Sequence, residues 1–256
     1  MKITLSPENT LGPTPKGLVW EYLQREKPKK HLDYGTRDGD FLEFLAKSGV
    51  IEKGLGIDLN QEAIQAGKES LDNKDVQLVT IKKGDLIPYE ENTFDSISMI
   101  GVLEHIFDQE RILRELYRVL KKNGKIYVLV PGKHFFSFLD MGNFKFRFPK
   151  LHKLYVEKKY SKEFYKEHFI ECKNGLFGDI ETEKMWHQHF ELYELKDIMS
   201  QAGFQILDQD GIGYFRRIFD NIRYFSPLLI KKFLHKLIEI DALKYSSSEI
   251  LVIAKK

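Results

Sequence analysis

Five short apolar segments alternate with helical segments between residues 30 and 131, and this alternation restricts the fold more than any other feature of the sequence. The predicted strands are KHLDY, GLGIDL, DVQLVTI, FDSISMI and GKIYVLV, and the helices between them cover residues 40–47, 61–71 and 109–120. Two later segments, FQILDQD and SSSEILVIAKK, complete seven strands. The pattern predicts an α/β fold: a doubly wound, mainly parallel seven-stranded sheet with helices on both faces and ligands at the carboxyl ends of the strands.

The alternation stops after Pro131, and residues 133–186 predict a helical insertion after the fifth strand. We interpret residues 1–256 as a single domain in which residues 133–186 form a cap over the substrate. The 256 residues, 42% of them hydrophobic, suffice for one sizeable core. A first helix is expected at Pro15, with Thr14 as its N-cap.

The totals predict a cytoplasmic protein. No apolar run reaches 18 residues, the N-terminal segment lacks the apolar centre of a signal peptide, and the one cysteine, Cys172, cannot form an internal disulfide. The net charge of +2 favours no class of partner, and no nucleic-acid reading module is recognisable. A basic amphipathic helix over residues 226–240 either covers the sheet, which we favour, or contacts the inner membrane surface.

The turn after the first strand, LDYGTRDGD, contains two glycines and three carboxylates. Gly35 and Gly39 allow the backbone to approach a ligand closely, and the helix that follows offers free N–H groups. Asp33, Asp38 and Asp40 would repel a phosphate. The sequence therefore predicts a cationic or neutral ligand at this turn.

Two further carboxylates follow the second and third strands. Asp58 lies 19 residues after Gly39, close to the spacing at which a nucleotide-binding unit places an acid on ribose hydroxyls. Asp85 lies at the same rim, where it would accept a hydrogen bond from an adenine amino group. The alternative is that the two glycines only shape a turn and Asp58 caps the next helix.

These residues together resemble the class I S-adenosylmethionine-dependent methyltransferases, in the broad type 11 group. The motifs are LDYGTRDG at 32–39, GIDL at 56–59, FDSISMIGVLEH at 94–105 and RVLKKNG at 118–124. The resemblance implies S-adenosylmethionine as the cofactor and S-adenosylhomocysteine as its product. The residues that it assigns to the cofactor, from the methionine part through ribose and adenine to the sulfonium, are Asp33, Gly35, Gly39, Asp58, Leu59, Asp85, Leu86, Gly101, Val102 and His105.

Arg37 departs from the family pattern, because it replaces the middle glycine of G-x-G-x-G. If that position requires a positive φ, a residue with a Cβ costs about 1–2 kcal/mol there. A dinucleotide site would instead require G-x-G-x-x-G, with glycines at the positions of Arg37 and Asp40. The sequence thus favours the adenosyl cofactor over NAD.

A general base is harder to identify, because an alcohol acceptor must lose its proton during methyl transfer. His134 follows the fifth strand, and His187 precedes a later helix, so we name both as candidate catalytic bases. His105 is more typical of packing against adenosine than of catalysis. No cysteine or carboxylate pattern completes a metal site around His187 and His189, and no metal is expected.

The predicted cap carries a concentration of positive charge. Residues 144–166 contain eight lysines or arginines and two glutamates, a net charge of +6. Arg147 and Lys150 in this segment are candidate ligands for an anionic substrate, although a solvated basic surface is equally typical of such a run.

We therefore expect an enzyme that O-methylates a glycan, a lipid-linked compound or another anionic small molecule. The first alternative is a methyltransferase of quinone or small-metabolite biosynthesis. The second is a non-catalytic protein with the same fold that binds the cofactor as a sensor or partner subunit. A turnover assay separates the enzymes from the sensor.

Overall fold

The computed structural model describes residues 14–133, 148–171, 188–212 and 249–256, together with Pro227, Ile230, Phe233, Leu234, Lys236 and Leu237. The strands are β1 (Lys30–Tyr34), β2 (Lys53–Asp58), β3 (Val76–Thr80), β4 (Phe94–Ile100), β5 (Leu120–Pro131), β6 (Gln205–Ile212) and β7 (Glu249–Lys255). The helices are α1 (Pro15–Glu26), α2 (Asp40–Lys47), α3 (Gln61–Ser70), α4 (Gln109–Val119), α5 (Pro149–Lys159), α6 (Lys162–Lys166) and α7 (Leu192–Gln201). A short 3-10 helix, Leu103–His105, follows β4, and a π turn, Glu167–Glu171, follows α6.

The seven strands form one sheet in the order β3-β2-β1-β4-β5-β7-β6. The pairs among β1 to β5 are parallel, and β7 runs antiparallel to both β5 and β6. The strand order reverses direction between β1 and β4, so the carboxyl ends of these two strands border the crevice where doubly wound sheets bind ligands. The predicted α/β class and mainly parallel seven-stranded sheet are confirmed.

Local capping signals explain several helix ends. The Thr14 hydroxyl accepts the Gly17 N–H at 2.9 Å, and Pro15 is the first residue of α1, as the sequence predicted. Asp108 caps α4 in the same way by accepting the Arg111 N–H at 3.2 Å. These side chains satisfy donors that the first helical turn leaves free.

Helix α4 ends earlier than the sequence indicated. We expected it to run to Leu120 and the KKNG segment, but it ends at Val119, and Leu120 already pairs with Phe94 in the sheet. The turn uses a positive φ at Asn123, and a Cβ on Gly124 would lie 2.9 Å from the Asp95 carbonyl oxygen. Gly124 therefore provides space inside the sheet rather than ending the helix.

Apolar side chains cover both faces of the sheet. One cluster contains Leu32, Ile57, Ile97, Leu113 and Leu116, where α4 and α7 pack on the sheet. The other contains Val19, Leu23, Phe41, Leu45 and Tyr127, under α1 and α2. β1, β2 and β4 are buried over most of their length, so packing on both faces holds their carboxyl ends at one edge of the sheet.

The described part of the predicted cap, residues 148–171, is helical. Its side chains associate mainly through rings: His152 lies edge-to-face with Phe169, and Tyr160 stacks on Phe164. Val156 is the buried residue of α5, and Leu151 and Leu154 are exposed. Among the residues that the structure describes, no helix is long and apolar enough to cross a membrane.

Candidate functional site

The turn between β1 and α2 has an unusual backbone. Gly35, Arg37 and Gly39 have φ angles of 85°, 61° and 77°. The turn is tied to the next strand because the Gly35 N–H donates to the Ile57 carbonyl at 2.7 Å. A Cβ on Gly35 would lie 2.1 Å from Val102 Cγ2, so this glycine is required by both its φ and its neighbour.

Arg37, which replaces the middle glycine of the family motif, adopts a left-handed backbone conformation. With a φ of 61°, this residue carries the cost of about 1–2 kcal/mol expected for a side chain with a Cβ in that region. Its side chain is exposed, and its backbone N–H donates to Asp58 Oδ2 at 2.7 Å. The strained residue therefore helps to fix the carboxylate at the end of β2.

Asp58 is buried, with 6% of its surface exposed, and both of its oxygens accept backbone hydrogen bonds. Oδ2 accepts the Arg37 N–H, and Oδ1 accepts the Asn60 N–H at 2.8 Å. The N-cap of α3 is Asn60, whose side chain accepts the Ala63 N–H. The alternative role of Asp58 as the helix cap is therefore wrong, because Asn60 occupies that position.

A cleft that is open to solvent lies at the carboxyl ends of β1, β2 and β3. Five of the residues that the sequence assigned to the cofactor line it: Gly35, Asp58, Leu59, Asp85 and Val102. Tyr34, Ile57, Ile81, Lys82, Lys83, Gly84, Ile106, Arg111 and Ile112 complete the lining.

The other assigned residues lie outside this lining. Asp33 is buried beneath the turn. Gly39 packs closely against Leu78, since a Cβ on Gly39 would lie 2.8 Å from Leu78 Cδ2. Gly101 and His105 belong to the segment between β4 and α4. Leu86 is 67% exposed. The structure thus brings the ribose and adenine candidates together more closely than the residues expected at the methionine end.

One end of the cleft carries basic side chains that the sequence analysis did not single out. Arg111 Nη1 donates to the Gly84 carbonyl at 3.0 Å, which ties α4 to the loop after β3. Asp85 Oδ2 accepts the Lys82 N–H at 2.9 Å. Arg111 is the third residue of α4.

The segment after β4 holds a buried carboxylate that sequence reasoning also missed. Gly101 turns with a φ of 67°, and its N–H donates to the Leu129 carbonyl at 2.9 Å. Glu104 in the following 3-10 helix is 3% exposed, and its Oε1 lies 3.9 Å from His105 Nε2. The sequence signal that could have indicated the burial of Glu104 is its position directly after the apolar residues Val102 and Leu103.

A second group of buried polar side chains lies within the sheet. His31 is fully buried, its Nδ1 lies 2.7 Å from Ser96 Oγ, and its Nε2 lies 2.9 Å from Ser98 Oγ. Ser98 Oγ is 2.5 Å from Asp33 Oδ1. Burial lowers the pKa of His31 to about 3 and raises the pKa of Asp33, with the hydrogen bond from Ser98 opposing the latter shift. His31 is therefore neutral at pH 7.

Three candidate residues from the sequence fall outside the described part of the chain: His134, His187 and Arg147. Their predicted roles stay predictions. Lys150 is described and is exposed in the first turn of α5. His189, two residues after the candidate base His187, is half-buried.

The carboxylates of the β1–α2 turn suit a cationic nucleoside better than a phosphate. Burial raises the pKa of Asp33, and burial together with the neighbouring Asp38 raises the pKa of Asp40. Their ionised forms are thus held without full compensation, and a positively charged ligand would stabilise them. S-adenosylmethionine carries an ammonium and a sulfonium and has no phosphate, so the residues present fit it.

Comparisons with known proteins agree with this geometry. Residues 16–209 match the family described as "Methyltransferase domain". The chain is 30% identical over 138 residues to a demethylmenaquinone methyltransferase of Symbiobacterium thermophilum, covering 49% of this chain and 55% of that protein. It is 28% identical over 182 residues to the ubiquinone/menaquinone biosynthesis C-methyltransferase UbiE of Stenotrophomonas maltophilia, covering 68% and 65% of the two chains.

Solved structures share the fold. A SAM-dependent methyltransferase from Aquifex aeolicus superposes with a TM-score of 0.52 at 19% identity, covering 80% of this chain and 87% of its own. Another, from Archaeoglobus fulgidus, gives a TM-score of 0.53 at 16% identity, covering 94% of each chain. At these identities the likeness concerns the fold alone. The chain spans less than two thirds of the two curated relatives named above.

Proposed function

This chain belongs to the methyltransferase-domain family, and we propose that it transfers a methyl group from S-adenosylmethionine to a small-molecule acceptor. The observation that carries the proposal is the cleft at the carboxyl ends of β1, β2 and β3, in which the Asp58 carboxylate is fixed by two backbone N–H groups. A carboxylate so oriented keeps free lone pairs for ribose hydroxyls. The cofactor supplies a methyl group that its sulfonium already activates.

The residues of the cleft align the cofactor with the acceptor. Asp58 holds the ribose, Asp85 accepts from the adenine, and Val102 with Ile106 provides an apolar wall. Methyl transfer is an in-line displacement, so most of the rate enhancement comes from orientation and the exclusion of water. His134 and His187 stay our candidates for removing a proton from the acceptor.

For the acceptor we propose a quinone precursor, which was the first alternative from the sequence. The support is that the two curated relatives are named for demethylmenaquinone and for ubiquinone/menaquinone biosynthesis. Exposed apolar side chains in the cap, Leu151, Leu154 and Tyr155, suit an acceptor with an apolar chain. The activity would then be methylation of a ring carbon rather than of an oxygen.

An anionic acceptor, such as a lipid-linked glycan that is O-methylated, is the second candidate. A specific observation favours it: the six lysines between residues 148 and 171 are all exposed, so their charge is available to a substrate. Replacing Arg147 and Lys150 with glutamate should then raise the acceptor's KM and weaken its salt dependence, because exposed charges are screened over about 8 Å at physiological ionic strength. The affinity for cofactor should not change.

The deciding experiment combines binding and turnover. Calorimetry with S-adenosylhomocysteine and NAD tests the site, and saturable binding of NAD without a response to S-adenosylhomocysteine would refute the cofactor assignment. Methyl-labelled cofactor is then incubated with a demethylated quinone in detergent micelles and, separately, with a phosphorylated lipid-linked glycan fraction. Label in the quinone supports our first acceptor, and label in the glycan supports the second. Tight cofactor binding with no label in any acceptor extract supports the non-catalytic sensor.

A further inference from the structure

A continuous row of hydrogen-bonded side chains links β1 and β4 beneath the cofactor turn. It runs from Ser96 through His31 and Ser98 to Asp33, over distances of 2.7, 2.9 and 2.5 Å. Each of the four side chains is buried, with exposures from 0% to 5%. The row exists because His31 and Asp33 point to one face of β1, directly opposite Ser96 and Ser98 in the parallel register.

Counting protons fixes the direction of this row when Asp33 is ionised. An ionised Asp33 can only accept, so the single hydroxyl proton of Ser98 must be donated to Asp33 Oδ1. Ser98 Oγ then acts as an acceptor toward His31 Nε2, which must carry the ring proton. His31 Nδ1 is left as the acceptor for the Ser96 hydroxyl.

The opposite direction requires a different protonation state. If His31 carried its proton on Nδ1, Nε2 would accept the Ser98 proton, and Asp33 would lose its donor unless it were itself protonated. A protonated Asp33 is a poor partner for a cation. The tautomer of His31 is therefore coupled to the ionisation of Asp33.

We propose that His31 and Ser98 are positioning residues that hold Asp33 as an ionised acceptor for the ammonium of the cofactor's methionine part. Neither residue contacts the reacting atoms. They act through Asp33, by directing the Ser98 proton at its Oδ1. The proposal rests on the proposed function, because it takes the adenosyl cofactor as the ligand.

The test uses two ligands and a matched pair of variants. S-adenosylhomocysteine carries the ammonium, whereas 5′-methylthioadenosine lacks the amino-acid part and shares the adenosine. Ser98→Ala removes the hydroxyl that contacts Asp33, and Ser96→Ala removes a hydroxyl of the same strand and similar burial at the far end of the row. Each variant leaves one nitrogen of His31 unsatisfied, and Ser98→Ala also removes the donor to Asp33, so Ser98→Ala should lose more stability than Ser96→Ala.

The expected result is selective. Ser98→Ala should weaken S-adenosylhomocysteine about tenfold, the effect of one hydrogen bond to a charged group, and leave 5′-methylthioadenosine unchanged. Ser96→Ala should change neither affinity. Equal losses of affinity for the two ligands, or for the two variants, would overturn the proposal and reduce the row to a structural element.

If the unaltered protein binds 5′-methylthioadenosine and S-adenosylhomocysteine equally, Asp33 makes no ammonium contact and the proposal fails, although the cofactor assignment survives. If it binds neither, the proposed function fails as well.

A spectroscopic readout needs no variant and does not depend on folding of Ser98→Ala. The ¹⁵N shifts and couplings of the His31 ring in the unaltered protein at pH 7 distinguish the two neutral tautomers. With S-adenosylhomocysteine bound, we expect the proton on Nε2. A proton on Nδ1 in that complex would contradict the proposed direction of the row.

Discussion

The β1–α2 turn and the α5–α6 pair of the cap are both built from polar sequence, yet they are fixed by different means. In the turn, the N–H groups of Gly35 and Arg37 donate to Ile57 and to the Asp58 side chain of β2, and Val102 occupies the space that a Cβ on Gly35 would need. In the cap, α5 buries Val156 and exposes Leu151 and Leu154. The comparison indicates that the turn tolerates few substitutions, whereas the exposed positions of α5 and α6 tolerate many.

The largest expected effect comes from filling the space at Gly35. Gly35→Ala combines a left-handed conformation, about 1–2 kcal/mol, with a clash that typically costs 1–3 kcal/mol, so we expect a loss of about 2–5 kcal/mol in the free energy of unfolding. Urea denaturation measures it. In the cap, Leu154→Gln should stay within about 0.5 kcal/mol of the unaltered protein.

Gly49 provides the control for Gly35. It also has a positive φ, 66°, but a Cβ there would meet nothing within 4 Å. Gly49→Ala should therefore show the conformational cost alone, and Val102→Ala should restore part of the loss in Gly35→Ala. If both glycine variants lose the same stability, the packing of Val102 against the turn has no energetic weight.

The second effect concerns Asp58. Asp58→Ala should lower the affinity for S-adenosylhomocysteine at least tenfold, because it removes charge-assisted hydrogen bonds worth about 1.5–3 kcal/mol. From the sequence alone we would expect little change in folding stability. The structure predicts a loss, since the N–H groups of Arg37 and Asn60 would lose their acceptor. Calorimetry and urea denaturation on one preparation separate the two effects, and unchanged affinity would remove Asp58 from the site.

The third effect is a dependence of folding stability on pH that arises from the buried His31. His31 has a pKa of about 3 in the folded protein against 6.5 unfolded, because burial disfavours its charged form. Between these values the unfolded chain binds more protons, so stability should fall as pH decreases below 6.5, by about 2 kcal/mol at pH 5. The raised pKa of Asp33 acts in the opposite direction. Comparing urea midpoints of the protein and His31→Gln at pH 7 and pH 5 isolates the histidine; equal changes in both would contradict it.

These predictions also show how far the sequence reached. The strand and helix pattern, the Thr14 cap and the residues around Asp58 could be read from the chain, because each depends on neighbours within a few positions. The row from Ser96 to Asp33 could not, because it depends on which strand lies beside β1 and in what register. HxD in one strand and SxS in another apolar strand were visible signals, but only the pairing of β1 with β4 joins them. The contact between Gly35 and Val102 is hidden for the same reason.

The smallest effect tests whether the strained backbone at Arg37 contributes to cofactor binding. Arg37 occupies the left-handed region with a φ of 61°, so Arg37→Gly relieves about 1–2 kcal/mol, from which the greater flexibility of glycine in the unfolded chain subtracts about 0.5–1 kcal/mol. We expect a net gain of up to about 1.5 kcal/mol in urea denaturation, with unchanged affinity for S-adenosylhomocysteine, because the N–H that contacts Asp58 belongs to the backbone. Arg37→Ala serves as the control, since it removes the side chain and keeps the Cβ, and should gain nothing. If Arg37→Gly lowers cofactor affinity while Arg37→Ala does not, the restricted backbone at this position, rather than the guanidinium, is what holds Asp58 ready for the ribose.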